Sequence, residues 1–321
     1  MTLTSRRADS ARSPILITMG EPGGIGPEVA MAAYRALGGS AGTHPLQLVG
    51  DAQVFGEYGP VENDAIVGVA PPVRAQAGRA DPANASGVIA AIDEAVAWAL
   101  DGRAAAVVTS PIHKSSLMQA GFRFAGHTEY LAHLTGAPRA VMMLAGGDLR
   151  VVPLTVHMPL ADVPAHITAQ LVVETAEIVL AALAGDFEIA RPRLAVAGLN
   201  PHAGEEGRLG TAELEIIRPA CENLRSRGFH VAGPLSADTM FHREARNGYD
   251  AALCMYHDQA LIPLKTLAFW EGVNITLGLP IVRTSPDHGT ALDIAGRGRA
   301  DPRSMIAAIA LAASVADARN R

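Results

Sequence analysis

The sequence predicts an α/β protein of two domains with mostly parallel sheets. Short apolar runs alternate with longer stretches of helical period, the pattern of βαβ units. The chain has 321 residues, and a domain usually takes roughly 150. Aromatic residues make up only 4% of it, whereas Ala and Gly are abundant, which favours close helix–strand packing over an aromatic-rich β fold.

The elements follow in order. Ile15 to Met19 reads as a strand, and Pro27 to Leu37 as a helix with Pro27 in its first turn. Leu46 to Gly50 is a strand, Ala83 to Leu100 a helix, and Ala105 to Thr109 a strand that ends in Ser110-Pro111. The stretch Asp51 to Asp81 has weak periodicity and reads as irregular. Val141 to Leu144 and Leu149 to Val156 read as strands, Leu171 to Leu183 as a helix, and Leu194 to Gly198 as a strand. Glu213 to Arg227 reads as one helix, Ala251 to Met255 as a strand, and Ser304 to Ala318 as the last helix.

Composition excludes several function classes. The formal net charge is −6 with no block of Lys and Arg, so nucleic acid has no electrostatic footprint here. No uncharged apolar stretch reaches the roughly 18 residues of a membrane helix. Met1 to Ser13 is Ser- and Arg-rich without an apolar core, so it reads as a frayed arm and not as a signal peptide. The two cysteines, Cys221 and Cys254, form no CxxC pair, and Cys254 lies in an apolar run as a core thiol would. A cytoplasmic protein is the expectation.

Three histidines carry the chemistry. His157, His202 and His257 each follow an apolar run and precede a turn signal (Met158-Pro159, Ala203-Gly204 and Asp258). Ligands of parallel α/β sheets bind beyond the carboxyl ends of the strands, so three imidazoles there can converge on one divalent ion with positions left for substrate oxygens. Their spacing matches no local zinc motif, and the bland reading of each is a hydrogen-bonded cleft residue. Asp238 and Asp258 are candidate partners that orient the imidazoles; the alternative is an ordinary turn aspartate.

Two further clusters suit anions. In Gly126-His127-Thr128-Glu129, His127 and Thr128 stand before a helical stretch, either at an anion-binding helix start or with Thr128 as a plain N-cap. The second cluster runs from Lys265 through Gly272-Val273-Asn274 and Arg283 to Asp287-His288-Gly289-Thr290. Lys and Arg flanking a polar, Gly-bearing loop suit a carboxylate or phosphate, against the alternative of surface charges. The opening Gly20-Glu21-Pro22-Gly23-Gly24-Ile25-Gly26-Pro27 is neither GxGxxG nor a P-loop and reads as a tight βα turn. No GxSxG is present, and Ser110, after a strand and near His113, is placed as many turn serines are, so nucleophilic catalysis is poorly supported.

The ordered set of motifs resembles a known family. These are Gly20 to Glu28, Thr109-Ser110-Pro111-Ile112-His113-Lys114, Gly126-His127-Thr128-Glu129, Asn200-Pro201-His202-Ala203-Gly204-Glu205, Tyr256-His257-Asp258-Gln259 and the run from Gly272 to Thr290. Over nearly the full chain they look like the 4-hydroxythreonine-4-phosphate dehydrogenases of vitamin B6 synthesis. The resemblance implies two domains like those of isocitrate and isopropylmalate dehydrogenases, with the active site in the cleft between them and a homodimer whose partner contributes to it. It implies a first, discontinuous domain over 14–145 and 271–321, and a second over 146–270. It makes His157, His202 and His257 ligands of one divalent ion (Zn, Mg or Co), and His127, Thr128, Lys265, Asn274 and Arg283 substrate contacts. It implies NAD as hydride acceptor, and the loop Asp287, His288, Gly289 and Thr290 is read as part of the cofactor side. Lys265, which either holds the phosphate or helps proton transfer, and Asp238 are the candidate catalytic residues.

The implied reaction oxidises and decarboxylates 4-phosphohydroxy-L-threonine, a small phosphorylated hydroxy acid, to 3-amino-2-oxopropyl phosphate. Some positions depart from the family pattern. Gly23-Gly24 stands where a small Ala is expected, Ala125 and Ala260 replace other small residues, and Asp51 to Asp81 is short. Three rival readings remain: a sister dehydrogenase for another hydroxy acid (a phosphorylated sugar acid or a cyclic dihydrodiol carboxylate), a metal-dependent hydrolase, and a non-catalytic binder.

Overall fold

A computed structural model of the chain describes residues 12–321. The arm expected over 1–13 therefore lies almost wholly outside the described residues. Ser13, at its end, is tied in: its carbonyl contacts His44 Nδ1 at 2.8 Å. The chain divides into two compact units, one reaching to Arg123 and resuming over His288–Ala313, the other covering Phe124–Asp287 and Ser314–Arg321.

The first unit contains β1 (Ile15–Thr18), α1 (Gly26–Ala36), β2 (Ser40–Ala41), β3 (His44–Gly50), α2 (Ala52–Gly56), β4 (Ile66–Gly68), α3 (Ala85–Leu100), β5 (Ala106–Thr109) and α4 (Lys114–Gln119). Strand β1 pairs parallel with both β3 and β5, and β4 adds parallel to β3, while the short β2 runs antiparallel. All four residues of β1 and of β5 are buried. That is why each reads as a continuous apolar run instead of an alternating one. Helix α3 buries Val88, Ala91, Ile92, Ala95 and Val96, the i, i+3, i+4, i+7 stripe of a core-facing helix.

The stretch over 51–81 is more ordered than its composition predicts. Asp51 caps α2, accepting from Gln53 N at 2.9 Å through Oδ1 and from Val73 N at 3.0 Å through Oδ2. One carboxylate thus fixes both ends of a segment with little core of its own.

The second unit runs α5 (His127–Thr135), β6 (Val141–Gly146), β7 (Leu149–Pro153), α6 (Val163–His166), α7 (Ala169–Gly185), β8 (Arg193–Ala197), α8 (Arg218–Ser226), β9 (His230–Leu235), α9 (Arg243–Arg246), β10 (Ala251–Cys254), α10 (His257–Ala268), β11 (Val273–Leu277) and β12 (Arg283–Pro286). Its strand order is β12-β11-β6-β7-β10-β8-β9. The sheet is parallel from β7 to β9 and antiparallel from β12 to β7. The antiparallel pairing of β6 with β11 and β7 draws 124–145 and 271–287 into this unit, so the division differs from the expected bounds at 145 and 271. The last helix, α11 (Arg303–Arg319), closes the chain.

Three local expectations change. Glu213 to Arg227 is not one regular helix: a π turn over Glu213–Ile217 precedes α8, whose first turn holds Pro219. Pro219 has no N–H to donate to the carbonyl four residues back, which favours the shifted register. The segment after His257 is a helix and not a turn, and Pro263 inside α10 masks it in the sequence. Strands β9, β11 and β12, unmarked in the sequence reading, complete the sheet. Both cysteines are buried, and burial pushes the Cys221 thiol up to about 11. No single helix among the described residues is long and apolar enough to cross a membrane.

Two of the sequence departures meet in space. A Cβ at Gly23 would run into the main-chain carbonyl of Arg79, at the end of the shortened 51–81 stretch, and Gly78 N donates to Gly23 O at 2.8 Å. Glycine at 23 is what lets that segment pack so closely. Gly23→Ala is therefore expected to destabilise the chain by about 1–3 kcal/mol through overpacking. A urea midpoint unchanged from the parent would show that the segment yields freely.

Candidate active site

The three histidines hang from adjacent strand ends. Strands β7, β10 and β8 are neighbours and parallel, so His157, His257 and His202 leave the same edge of one sheet. The ring centres of His157 and His257 lie 6.1 Å apart. Two imidazoles bound through nitrogens about 2.0–2.1 Å from one tetrahedral ion have centres on the order of 5–6 Å apart, so this pair fits a shared ion. His257 Nδ1 contacts Asp258 Oδ1 at 2.7 Å, which leaves Nε2 for an ion and gives the ring the carboxylate partner common behind metal-bound histidines.

His202 does not close this pair into a cluster. Among the described residues no three His, Cys, Asp or Glu side chains come together as a cation site. His202 instead lines a neighbouring cavity with Asn200, Asp238, Tyr256, Asp258 and Gln259, and Asp258 also borders the cavity of His157 and His257. Asp238 is exposed, and a hydrogen bond from the Ser236 hydroxyl at 2.5 Å, aided by the nearby His202, holds its carboxyl below the usual range.

The backbone around two of the histidines is strained. His157 has φ 49°, in the left-handed region. From His202 to Glu206 five consecutive residues are left-handed, with φ of 50°, 50°, 80°, 44° and 51°. For residues with a Cβ this conformation costs roughly 1–2 kcal/mol each, and such strain persists only where surrounding contacts enforce it.

Those contacts form a belt across the strand ends. Thr155 Oγ1, two residues before His157, donates to Met255 O at 2.8 Å. Met255 N, two residues before His257, donates to Gln259 Oε1 at 2.6 Å, and Gln259 Nε2 donates to Gly198 O at 2.8 Å at the end of β8. The Glu213 carboxylate then accepts from Leu199 N at 2.8 Å and from Asn200 N at 2.7 Å. Neither Gln259 as a tie nor Glu213 was singled out by sequence reasoning. Glu213 stands there only as the first residue of an expected helix, and its burial at 1% exposure reveals its role.

The anion-binding candidates occupy the antiparallel part of the same unit. Asn274 and Thr276 share one face of β11, and Ser285 on β12 lies opposite Asn274. Arg283, 3% exposed, donates to Thr276 Oγ1 at 2.8 Å, and burial pushes its guanidinium down to about 9. A buried cation of this kind favours an anion beside it. Asn274 Oδ1 is buried with no hydrogen-bond partner among the described residues. Lys265 Nζ lies 3.0 Å from Asp287 Oδ2.

His127 opens α5, with Gly126 as the N-cap residue and Thr128 in the first turn. The simple reading of Thr128 as N-cap is thereby corrected. Of the residues assigned to a cofactor, Asp287 pairs with Lys265 in the second unit. His288, Gly289 and Thr290 belong to the first, where Thr290 O accepts from Ile25 N at 2.9 Å beside the glycine-rich turn. Ser110 Oγ is buried with no partner among the described residues, and His113 Nδ1 contacts Ser116 Oγ at 2.8 Å.

The chain is thus an α/β protein with a large, mostly parallel sheet and histidines at neighbouring strand ends. A solved isocitrate dehydrogenase from Methylococcus capsulatus, 14% identical, shares that fold with a TM-score of 0.50, covering 96% of this chain and 88% of that one. The profile described as pyridoxal phosphate biosynthetic protein PdxA matches residues 35–312, and the chain belongs to that family. A relative from Roseobacter denitrificans named 4-hydroxythreonine-4-phosphate dehydrogenase is 52% identical over 322 residues, 95% of this chain and 98% of that protein. The crystal structure of the Klebsiella pneumoniae protein of the same name is 36% identical with a TM-score of 0.83, covering 95% of this chain and 99% of that one.

Gln259→Leu removes the tie between two strand ends and leaves Met255 N and Gly198 O buried without their partner. The expected loss is about 1–3 kcal/mol for each group. Chemical denaturation reads it, and a variant as stable as the parent would mean that the belt carries no energy.

Proposed function

We propose that this chain is an NAD-dependent and divalent-metal-dependent 4-hydroxythreonine-4-phosphate dehydrogenase of the cytoplasm. It oxidises and decarboxylates 4-phosphohydroxy-L-threonine to 3-amino-2-oxopropyl phosphate in vitamin B6 synthesis. The observation that carries this reading is the His157–His257 pair, 6.1 Å between ring centres, at the ends of parallel strands in a chain of this family.

His157, His202 and His257 would hold the ion (Zn, Mg or Co), all three through neutral imidazole nitrogen. When bound, the ion supplies Lewis acidity at the substrate hydroxyl and NAD supplies the hydride acceptor. The chain's own residues do the rest. Arg283 and Lys265 supply fixed positive charge for the phosphate and carboxylate, and Asp287 sets the direction of the Lys265 ammonium. Asn274 Oδ1 accepts from a substrate hydroxyl or ammonium, and His127 and Thr128 offer donors at the start of α5. Lys265 and Asp238 are the candidates for moving protons as carbon dioxide leaves. Asp287, His288, Gly289 and Thr290 form the cofactor side.

The homodimer belongs to the same reading. Helix α10 starts with His257, and the side chains Ile262, Phe269 and Trp270 along and just beyond it are 64%, 60% and 51% exposed. Exposed apolar side chains next to an incomplete ligand set suit a second copy of the chain.

The test is NADH formation by metal-stripped protein given 4-phosphohydroxy-L-threonine and NAD, before and after divalent ions are added. Turnover that depends on the ion is expected, as is loss of both ion binding and turnover in His202→Ala. No NADH with any ion would end this reading, and phosphorylated sugar acids and cyclic dihydrodiol acids would be offered next. Full activity in His202→Ala would remove the metal assignment alone.

A further inference from the structure

Glu213 opens the π turn ahead of α8, yet its side chain points back to the end of β8 and is 1% exposed. Oε1 accepts from Leu199 N at 2.8 Å and Asn200 N at 2.7 Å, and Oε2 accepts from Asn200 Nδ2 at 2.9 Å. Strand β8 ends at Ala197, so these two N–H groups lie beyond the last residue of the strand, and the carboxylate stands in for a neighbouring strand. Pro201, which follows, has no N–H at all. Leu199 and Asn200 are therefore the last main-chain donors before the left-handed turn that starts at His202.

The same carboxylate also forms the floor of that turn. Gly204, at φ +80°, passes so close that a Cβ there would lie 2.6 Å from Glu213 Oε2. Gly210, at φ +128°, passes equally close to the Asn200 amide that the carboxylate holds. One buried anion thus grips the chain just before His202 and limits its path just after.

We propose that Glu213 is a positioning residue for His202: its carboxylate enforces the left-handed turn and so sets where that imidazole meets a divalent ion. The inference rests on the metal reading above. A left-handed run of residues with side chains relaxes when its enforcing contact is lost, and a ligand carried on it moves. Supporting groups behind metal ligands typically contribute about 10- to 100-fold to affinity. Glu213→Met keeps the length and volume but carries no oxygen to accept from these donors, so it breaks the grip without opening a large hole.

The experiment titrates Co²⁺ into metal-stripped full-length protein, following the visible absorption of the bound ion and the heat of binding. The thermal midpoint of each metal-free protein is measured alongside. Glu213→Met is expected to weaken Co²⁺ binding by about 10- to 100-fold and to alter the absorption of bound Co²⁺, with the protein still folded. Asn200→Ala, which removes only the Oε2 contact, is expected to show a smaller loss, and the double variant no more loss than Glu213→Met alone. Parent-like affinity in folded Glu213→Met, with binding lost in His202→Ala, overturns the proposal and leaves the metal reading standing. Parent-like affinity in His202→Ala overturns the metal reading and this inference with it. If Glu213→Met does not fold, Asn200→Ala decides, and parent-like affinity there overturns the proposal.

Discussion

Three parallel strands that end at one edge must be held in register beyond their last ladder bond, and most of the site depends on how this is done. Strands β7, β10 and β8 stop at Pro153, Cys254 and Ala197. One more main-chain bond reaches a neighbouring strand from each of Leu154 and Gly198, and beyond them the chain stays largely buried, so its N–H and C=O groups need side chains. Thr155, Gln259 and Glu213 supply them in sequence across the edge. Thr155 and Gln259 reach from one strand end or its following helix to the next, and Glu213 folds back onto the end of β8. The loops that carry His157, His257 and His202 therefore start from a shared rigid base.

This arrangement explains why strain collects there. A chain leaving a parallel strand normally enters a helix or a broad loop. Here it must present an imidazole within a few residues of the strand end. His157 and the run from His202 to Glu206 do so in the left-handed region, and His257 does so by starting a helix at once. The first two solutions are unfavourable for residues with a Cβ and require outside contacts. The third needs only an extended Tyr256 before it, at φ −147°. The belt is densest next to the five-residue left-handed run, where the need is greatest.

Much of this was legible in the sequence, and the gaps have physical causes. Fully buried parallel strands announce themselves as apolar runs, so β1, β3, β5, β8 and β10 and the His that follows each of the last two were readable. Strands β11 and β12 were not, because they hold the polar residues Asn274, Thr276, Arg283 and Ser285 that make up a site, and polarity erased the strand pattern. Helix α10 was hidden by Pro263 and by opening directly on His257. Cys254 as a core thiol could be read from its neighbours. Glu213 could not: its partners stand 13 and 14 residues away, and nothing in the local sequence separates a buried carboxylate from a solvated one.

The β11–β12 part of the unit follows a different logic from the strand-end histidines. The histidines are placed by hydrogen bonds and strained backbone. The β11–β12 part relies on charge taken out of water. Arg283 is buried to the point where its guanidinium is pushed down to about 9, and a guanidinium at that depth is costly unless something negative joins it. Its bond to the Thr276 hydroxyl orients the group. Under the proposed function, a substrate phosphate or carboxylate would sit beside this buried charge, and the strained strand-end loops would carry the ligands of the ion.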